Sequence, residues 1–235
     1  MNMIHEKSKS KTRRERKRAA RSEEILAAAM GIVVADNIDS LKMPALARQL
    51  DCAVGALYRY FPGKDALIVG LQLRAIGEFS EFLNEVLRPI IHHHDPGEAA
   101  MQRLRNGFVA FRDFEDRSPA AYGLIDAMLS DPRALLDDDD ARAVQQVLDP
   151  ILARFGSLLD EAVELGVLTP GDSLLRTHVI WAALHGAAHF RKRDPRQPES
   201  LASNRVAEEA LNTLLSGWGA RSWKKIEDPT IFVNE

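Results

Sequence analysis

Apolar residues recur along this chain at the spacing of helices. Ile25, Ala29, Ile32 and Val33 return every three to four residues, and polar Asp36 and Asn37 close the run. That period predicts a first helix. Ser22 is a good N-cap for it, and Glu23 and Glu24 face the positive end of its dipole. A short second helix starts at Pro44, whose missing N–H costs nothing in the first turn, and carries Ala45, Leu46, Ala47 and Leu50. The turn Asp51-Cys52-Ala53 leads into a third helix from Val54 to about Tyr60, which Pro62-Gly63 stops. A fourth runs from Lys64-Asp65 to about Leu87, with Leu67, Leu71, Ile76, Phe79, Leu83 and Val86 on one face. Further helices are expected over 97–116, 118–130, 140–166, 172–192 and 199–217, parted by Asp95-Pro96-Gly97, Asp131-Pro132, Thr169-Pro170-Gly171 and Asp194-Pro195. No stretch alternates with period two and no internal repeat is present. The expected fold is all-α, about nine helices, with a three-helix head followed by a larger helical body.

Composition agrees with this pattern. Ala and Leu are abundant, aromatics few, and Gly with Pro make only 25 of 235 residues, which favours helices over a β-sandwich. The length is enough to bury a core without covalent staples. The single cysteine, Cys52, excludes an intramolecular disulfide and a thiolate-rich zinc site. No run approaches the roughly 18 apolar residues of a membrane span. A basic start followed by the apolar run Ile25–Ala35 imitates a secretory signal. Glu23 and Glu24 interrupt it, and the helical spacing argues for a buried first helix in a cytoplasmic protein.

Charge changes the picture. The net charge is −3, yet residues 1–22 hold nine Lys/Arg against two Glu, while the remaining 213 hold 22 basic and 32 acidic residues. A basic arm on an acidic body points to a polyanion touched at one end. The domains are then a basic arm over 1–21, expected to be disordered in isolation, a head over 22–68, a body over 69–218, and a loosely held tail over 219–235. Trp223, Ile231 and Phe232 are the tail residues able to dock.

Three short helices before residue 62 suggest a helix-turn-helix, in which the second helix braces the third against the major groove. Ala47 and Ala53 supply small residues for the seam, and Leu46, Leu50 and Leu57 a small core. Residues 25–71 resemble the DNA-binding domain of the TetR family of bacterial transcriptional regulators. The likeness rests on Ile25-Leu26-Ala27-Ala28-Ala29, on Leu46-Ala47-Arg48-Gln49-Leu50, and above all on Gly55-Ala56-Leu57-Tyr58-Arg59-Tyr60-Phe61-Pro62-Gly63-Lys64-Asp65-Ala66-Leu67. Trp181-Ala182-Ala183-Leu184-His185-Gly186 is similar to a segment often seen in the family's eighth helix. Three departures stand out. Lys42 and Met43 occupy the place where the family usually has Thr or Ser against a phosphate, so that contact passes to Lys42 or Ser40. Asp51 replaces the usual turn glycine. Val54, Gly55 and Ala56 offer no bidentate donors, so readout leans on thymine methyls, DNA shape and Arg59.

The resemblance, with the chemistry of the side chains, makes Tyr58 and Tyr60 donors to phosphates or base edges and Lys64 a phosphate neutraliser. Such contacts set register rather than sequence. Plain core packing is the competing role for Tyr58, and a solvated helix start for Lys64. Residues 23–70 hold four basic and six acidic side chains. Much of the nonspecific attraction is therefore expected from the arm, with Lys7, Lys9, Lys11, Arg13, Arg14, Arg16, Lys17, Arg18 and Arg21.

Two recognition helices must meet successive major-groove turns, so a homodimer is expected. Its candidate seam is Trp181, Leu184, His185 and Ala188 with Val206, Ala210, Leu214 and Trp218, where small residues 182, 183, 186 and 187 permit close approach. Trp181 equally suits an intrachain core. The resemblance further implies a small-molecule effector enclosed by the middle helices, and Phe108, Phe111, Tyr122, Met128 and His178 are candidate lining residues. No cofactor and no metal is expected. Three adjacent histidines, His92-His93-His94, cannot face one ion from a helix. His185 and His189 share a face, but no carboxylate motif accompanies them. Asp137–Asp140 lacks the glycine and glutamate of a calcium loop and reads as a helix cap. An enzyme is disfavoured because the chain has no P-loop, no nucleophile elbow and no dinucleotide loop. A helical adaptor that binds protein instead of DNA is the other alternative, and the basic arm speaks against it.

Overall fold

The structure, a computed structural model, describes residues 12–36, 38–88, 95–130 and 136–220. Among these residues there are nine α-helices and no strand. They are α1 (Arg13–Ala35), α2 (Met43–Gln49), α3 (Val54–Tyr58), α4 (Lys64–Val86), α5 (Pro96–Arg117), α6 (Pro119–Ser130), α7 (Asp138–Glu164), α8 (Ser173–Ala188) and α9 (Ser203–Gly217), with 3-10 turns at Ile38–Ser40, Arg191–Arg196 and Glu199–Leu201. None of the described helices is long and apolar enough to cross a membrane. The chain divides into two compact units, Met1–Ile76 with Ala120–Val144, and Gly77–Pro119 with Gln145–Glu235. The division runs through α4 and α7 rather than at the expected 68–69 boundary. A helix crosses it because its backbone bonds are local, whereas units are defined by side-chain packing.

In the first unit, α1 begins at Arg13 instead of Ser22, so half of the arm expected to be disordered is helical. The cause is a capping box: Glu15 N–H donates to Thr12 Oγ1 (3.2 Å) and Thr12 N–H to Glu15 Oε2 (2.7 Å). The residues that follow, rich in Arg, Lys, Ala and Glu, are strong helix formers. Ile25, Leu26, Ala29 and Met30 of α1 are buried, as are Met43, Leu46 and Ala47 of α2, Leu57 of α3, Phe61, and Leu67, Ile68 and Leu71 of α4. A side chain at Gly70 would meet Leu26 Cδ2 at 2.9 Å and Phe61 Cε1 at 3.0 Å, so this glycine lets α4 approach closely.

The turn between α2 and α3 is a Schellman cap. Cys52 N–H donates to the Ala47 carbonyl (3.0 Å) and Asp51 N–H to that of Arg48 (3.2 Å). Asp51 therefore sits at φ +48°, a left-handed conformation that favours glycine and that Asp tolerates better than most residues. The same cap ends α7, where Gly166 takes the left-handed position at φ +70°.

The second unit is built on aromatic packing. Phe79 meets Phe111 edge-on with centroids 5.7 Å apart, and Phe108 stacks on Phe155 at 4.8 Å. Arg105 pairs with Glu208 at 2.6 Å, joining α5 to α9. Asp95 and Asp172 cap α5 and α8 through side-chain oxygens that accept backbone N–H groups. In the remaining chain, Asp137 does the same for α7, accepting from Asp139 and Asp140, which is the capping role expected of this acidic run. Helix α8 ends before the expected residue 192, and α9 starts at Ser203 rather than 199. Asp194 takes the Ser203 N–H (3.0 Å) and hydroxyl (2.6 Å), which pins the start of α9.

Candidate functional site

The head presents a polar face because α3 is a single turn and a half. Consecutive residues on a helix point about 100° apart, so burying Leu57 turns Tyr58 outward. Tyr58 is 48% exposed. Gly55 and Arg59 are exposed with it, while Val54, Ala56, Tyr60 and Lys64 are half-buried at its edges. Lys42 is exposed at the N-cap of α2 and Ser40 is half-buried. Met43, a candidate for DNA contact, is 6% exposed and belongs to the head core. Its side chain points inward because α2 lies against α1 along this edge. Ala53 likewise departs from expectation: it is the exposed N-cap of α3, and Ala47 is the small residue buried in the seam.

The helical arm adds a second basic surface. Arg13, Arg14, Arg16, Lys17 and Arg18 are exposed. At 3.6 residues per turn, Arg14, Arg18 and Arg21 fall within about 60° of arc, and Arg13 with Lys17 lie on a neighbouring face. Arg21 is tied to Glu24 at 2.6 Å, and that hydrogen bond holds its guanidinium pKa above the ordinary value. Lys7, Lys9 and Lys11 lie outside the described residues.

A basic helix leading into a helix-turn-helix agrees with what comparison finds over the rest of the chain. Residues 25–71 match the family described as bacterial regulatory proteins, tetR family, and residues 104–214 match the tetracyclin repressor-like C-terminal domain. The two matches cover the head and most of the body. The chain belongs to the TetR family. It is a DNA-binding transcriptional regulator of the helix-turn-helix type.

Solved structures agree on the fold. SmeT, the repressor of the Stenotrophomonas maltophilia multidrug efflux pump SmeDEF, is 17% identical, with 88% of this chain and 96% of that chain covered and a TM-score of 0.61. AibR, solved in complex with isovaleryl coenzyme A and operator DNA, is 16% identical, with coverages of 83% and 98% and a TM-score of 0.62. A regulator from Shewanella sp. PV-4 is 16% identical, with coverages of 85% and 98% and a TM-score of 0.60. No curated protein matches the chain.

The body of this TetR-family chain holds a small cavity of about 20 Å³, the room of one water molecule. Phe79, Phe108, Phe111, Ile151, Leu152, Phe155, Thr177, Trp181 and Leu184 line it. Of the expected effector residues, Phe108 and Phe111 are there. His178 is exposed, its Nδ1 2.8 Å from the Leu174 carbonyl oxygen. Tyr122 and Met128 belong to the first unit, the former buried and the latter half-buried. Trp181, which suits a seam or a core, and Leu184, expected at the dimer seam, both line the cavity. The Thr177 hydroxyl donates to Ser173 O at 2.8 Å, whereas the buried Trp181 Nε1 has no hydrogen-bond partner among the described residues. Phe79, Ile151, Leu152, Phe155 and Thr177 were missed as lining. The apolar stripe of α4 included Phe79 as a core position without showing that it borders a space, and the other four carry no local signal that would mark them as lining.

A second, open concavity of about 570 Å³ lies along α8 and α9, lined by Val179, Ala183, Leu201, Val206, Ala210 and Leu214 among others. Ala210 and Leu214 of the expected seam are here. His185, also of the expected seam, packs against Phe111 and Trp181, and Ala188 is half-buried. His92-His93-His94 and the tail beyond residue 220 lie outside the described residues.

Proposed function

We propose that this regulator is a homodimeric repressor whose paired heads hold an operator and let go when a small apolar effector enters the body. The observation that carries the DNA contact is the outward Tyr58 on a helix whose neighbouring Leu57 is fully buried. Tyr58, Tyr60 and Lys64 then address phosphates and base edges, with Lys42 and Arg59 beside them. Val54, Gly55 and Ala56 allow close approach to the groove and contact thymine methyls. The basic face of α1 adds sequence-independent attraction.

The dimer partner is a second copy seated on the exposed apolar surface of α8 and α9. Leu175 and Val179 project from α8 there, and Val206 from α9. A stable seam needs about 1,200–2,000 Å² of buried surface, and two helices from each chain supply a four-helix arrangement of that scale. The effector reading rests on the aromatic cavity. It is too small for a metabolite as it stands, so binding requires Phe111 or Trp181 to move, and an effector acts only by favouring one head spacing over another. An uncharged, apolar ligand suits walls that carry no ionised group.

The test is a gel shift on the promoter region beside its own gene. Tyr58→Ala and Lys64→Ala are each expected to weaken binding about tenfold or more, with thermal melting unchanged because neither side chain is buried. Full operator affinity in both variants would overturn the assignment. A panel of apolar metabolites that all leave operator affinity unchanged would overturn the effector reading.

A further inference from the structure

We propose that His185 and His189, at the C-terminal end of α8, chelate a divalent transition-metal ion of the zinc and nickel class. The i, i+4 spacing places both imidazoles on one face. Their ring centroids are 6.2 Å apart, and a ring nitrogen of each lies within 4.8 Å of the other. Metal–nitrogen bonds of about 2.0–2.1 Å are reached from there by a modest rotation of the exposed His189 side chain.

Three further observations agree with a ligand role. His189 Nδ1 lies 2.9 Å from the His185 carbonyl oxygen. A carbonyl only accepts, so Nδ1 is the donor here and Nε2 is the nitrogen that would hold the metal, the arrangement that orients metal-binding histidines. The His185 ring is held between Trp181, nearly parallel at 6.1 Å and 12°, and Phe111, edge-on at 4.8 Å. These contacts fix its orientation. Finally, the last turn of a helix carries partial negative charge, which favours a cation there. Arg191, the cation nearest in sequence, is already paired with Glu115 and Asp116. Imidazole pairs of this kind select zinc, nickel, cobalt or copper over magnesium or calcium. Trp181 and Phe111 also line the aromatic cavity, so an ion here is adjacent to it.

The experiment uses full-length protein carrying His92→Ala, His93→Ala and His94→Ala, so that the run of three cannot contribute. Zinc(II) affinity is measured by competition with a chromophoric chelator. Nickel(II) binding is followed by quenching of tryptophan emission, to which Trp181 reports from its position on His185. One equivalent per chain is expected, with quenching. His189→Ala and His189→Gln, at an exposed position, should each weaken binding tenfold or more and remove the quenching. His178→Ala should change neither. Undiminished zinc affinity and quenching in His189→Ala would overturn the proposal. So would the absence of binding at sub-millimolar zinc or nickel before any α8 substitution.

Discussion

The helical arm makes a prediction that a flexible arm does not. A disordered basic tail wraps around its target and uses its charges interchangeably. A helix presents one face, so the charges become unequal. Arg14 and Arg18 are about 40° apart around the axis, as are Arg13 and Lys17, and the two pairs are offset by about 100°. Only one pair can lie against a given phosphate strand. Each phosphate contact contributes about 0.9 to the slope of log K against log salt. Losing two contacts per protomer in a dimer therefore lowers the slope by up to about 3.6. By the same relation, taking 1 M salt as the reference where these contacts contribute nothing, operator affinity in about 0.1 M salt falls by as much as about 3.6 log units. The assay is fluorescence anisotropy on operator DNA and on unrelated duplex, across a salt series, for Arg14→Gln/Arg18→Gln and Arg13→Gln/Lys17→Gln. One double variant is expected to flatten the salt dependence on both duplexes, and the other to act weakly. All four positions are exposed, so melting temperatures should not move. Equal effects from the two double variants would refute the helical presentation, and no effect from either would refute a DNA role for this stretch.

Other outcomes follow from single positions. Asp51→Gly relieves the left-handed strain of about 1–2 kcal/mol at a glycine entropy cost of about 0.5–1 kcal/mol, so the urea midpoint should rise slightly, and a fall would refute the strain argument. Gln72 is 1% exposed and its Oε1 has no hydrogen-bond partner among the described residues. Gln72→Leu should therefore gain about 1 kcal/mol, and a loss of stability in chemical denaturation would contradict that. Leu214→Asp places a charge on the proposed seam and should convert dimer to monomer in sedimentation equilibrium. A dimer that persists at low micromolar concentration would move the seam elsewhere.

How much of this was legible beforehand depended on the kind of signal. Helices α2 to α5 were placed within a residue or two because Pro44, Pro62-Gly63 and Asp95-Pro96 punctuate them, and such signals act within one turn. The motif from Gly55 to Leu67 pointed to the helix-turn-helix for the same reason. The start of α1 was misplaced because apolar spacing located the helix, while the Thr12–Glu15 capping box that begins it lies outside the apolar run. Met43 shows a different limit. Its type suits an exposed contact or a core, and only the packing of α2 decided between them.

Helix α8 marks the boundary most clearly. It carries apolar side chains all the way round, so its sequence does not indicate which side turns inward. The fold buries Thr177 and Ile180 and turns Leu174 (52% exposed) and Leu175 (60%) outward, the opposite of what polarity alone would assign to Thr177. That choice put Trp181 and His185 beside Phe111 and left Val179 and Ala183 on the outer surface. The sequence by itself determined the helices, their order and the family of the head, because capping, turn chemistry and periodicity are local. The tertiary structure decided which residues surround the cavity and which remain outside, because that depends on α4, α5, α7 and α8 filling one space together.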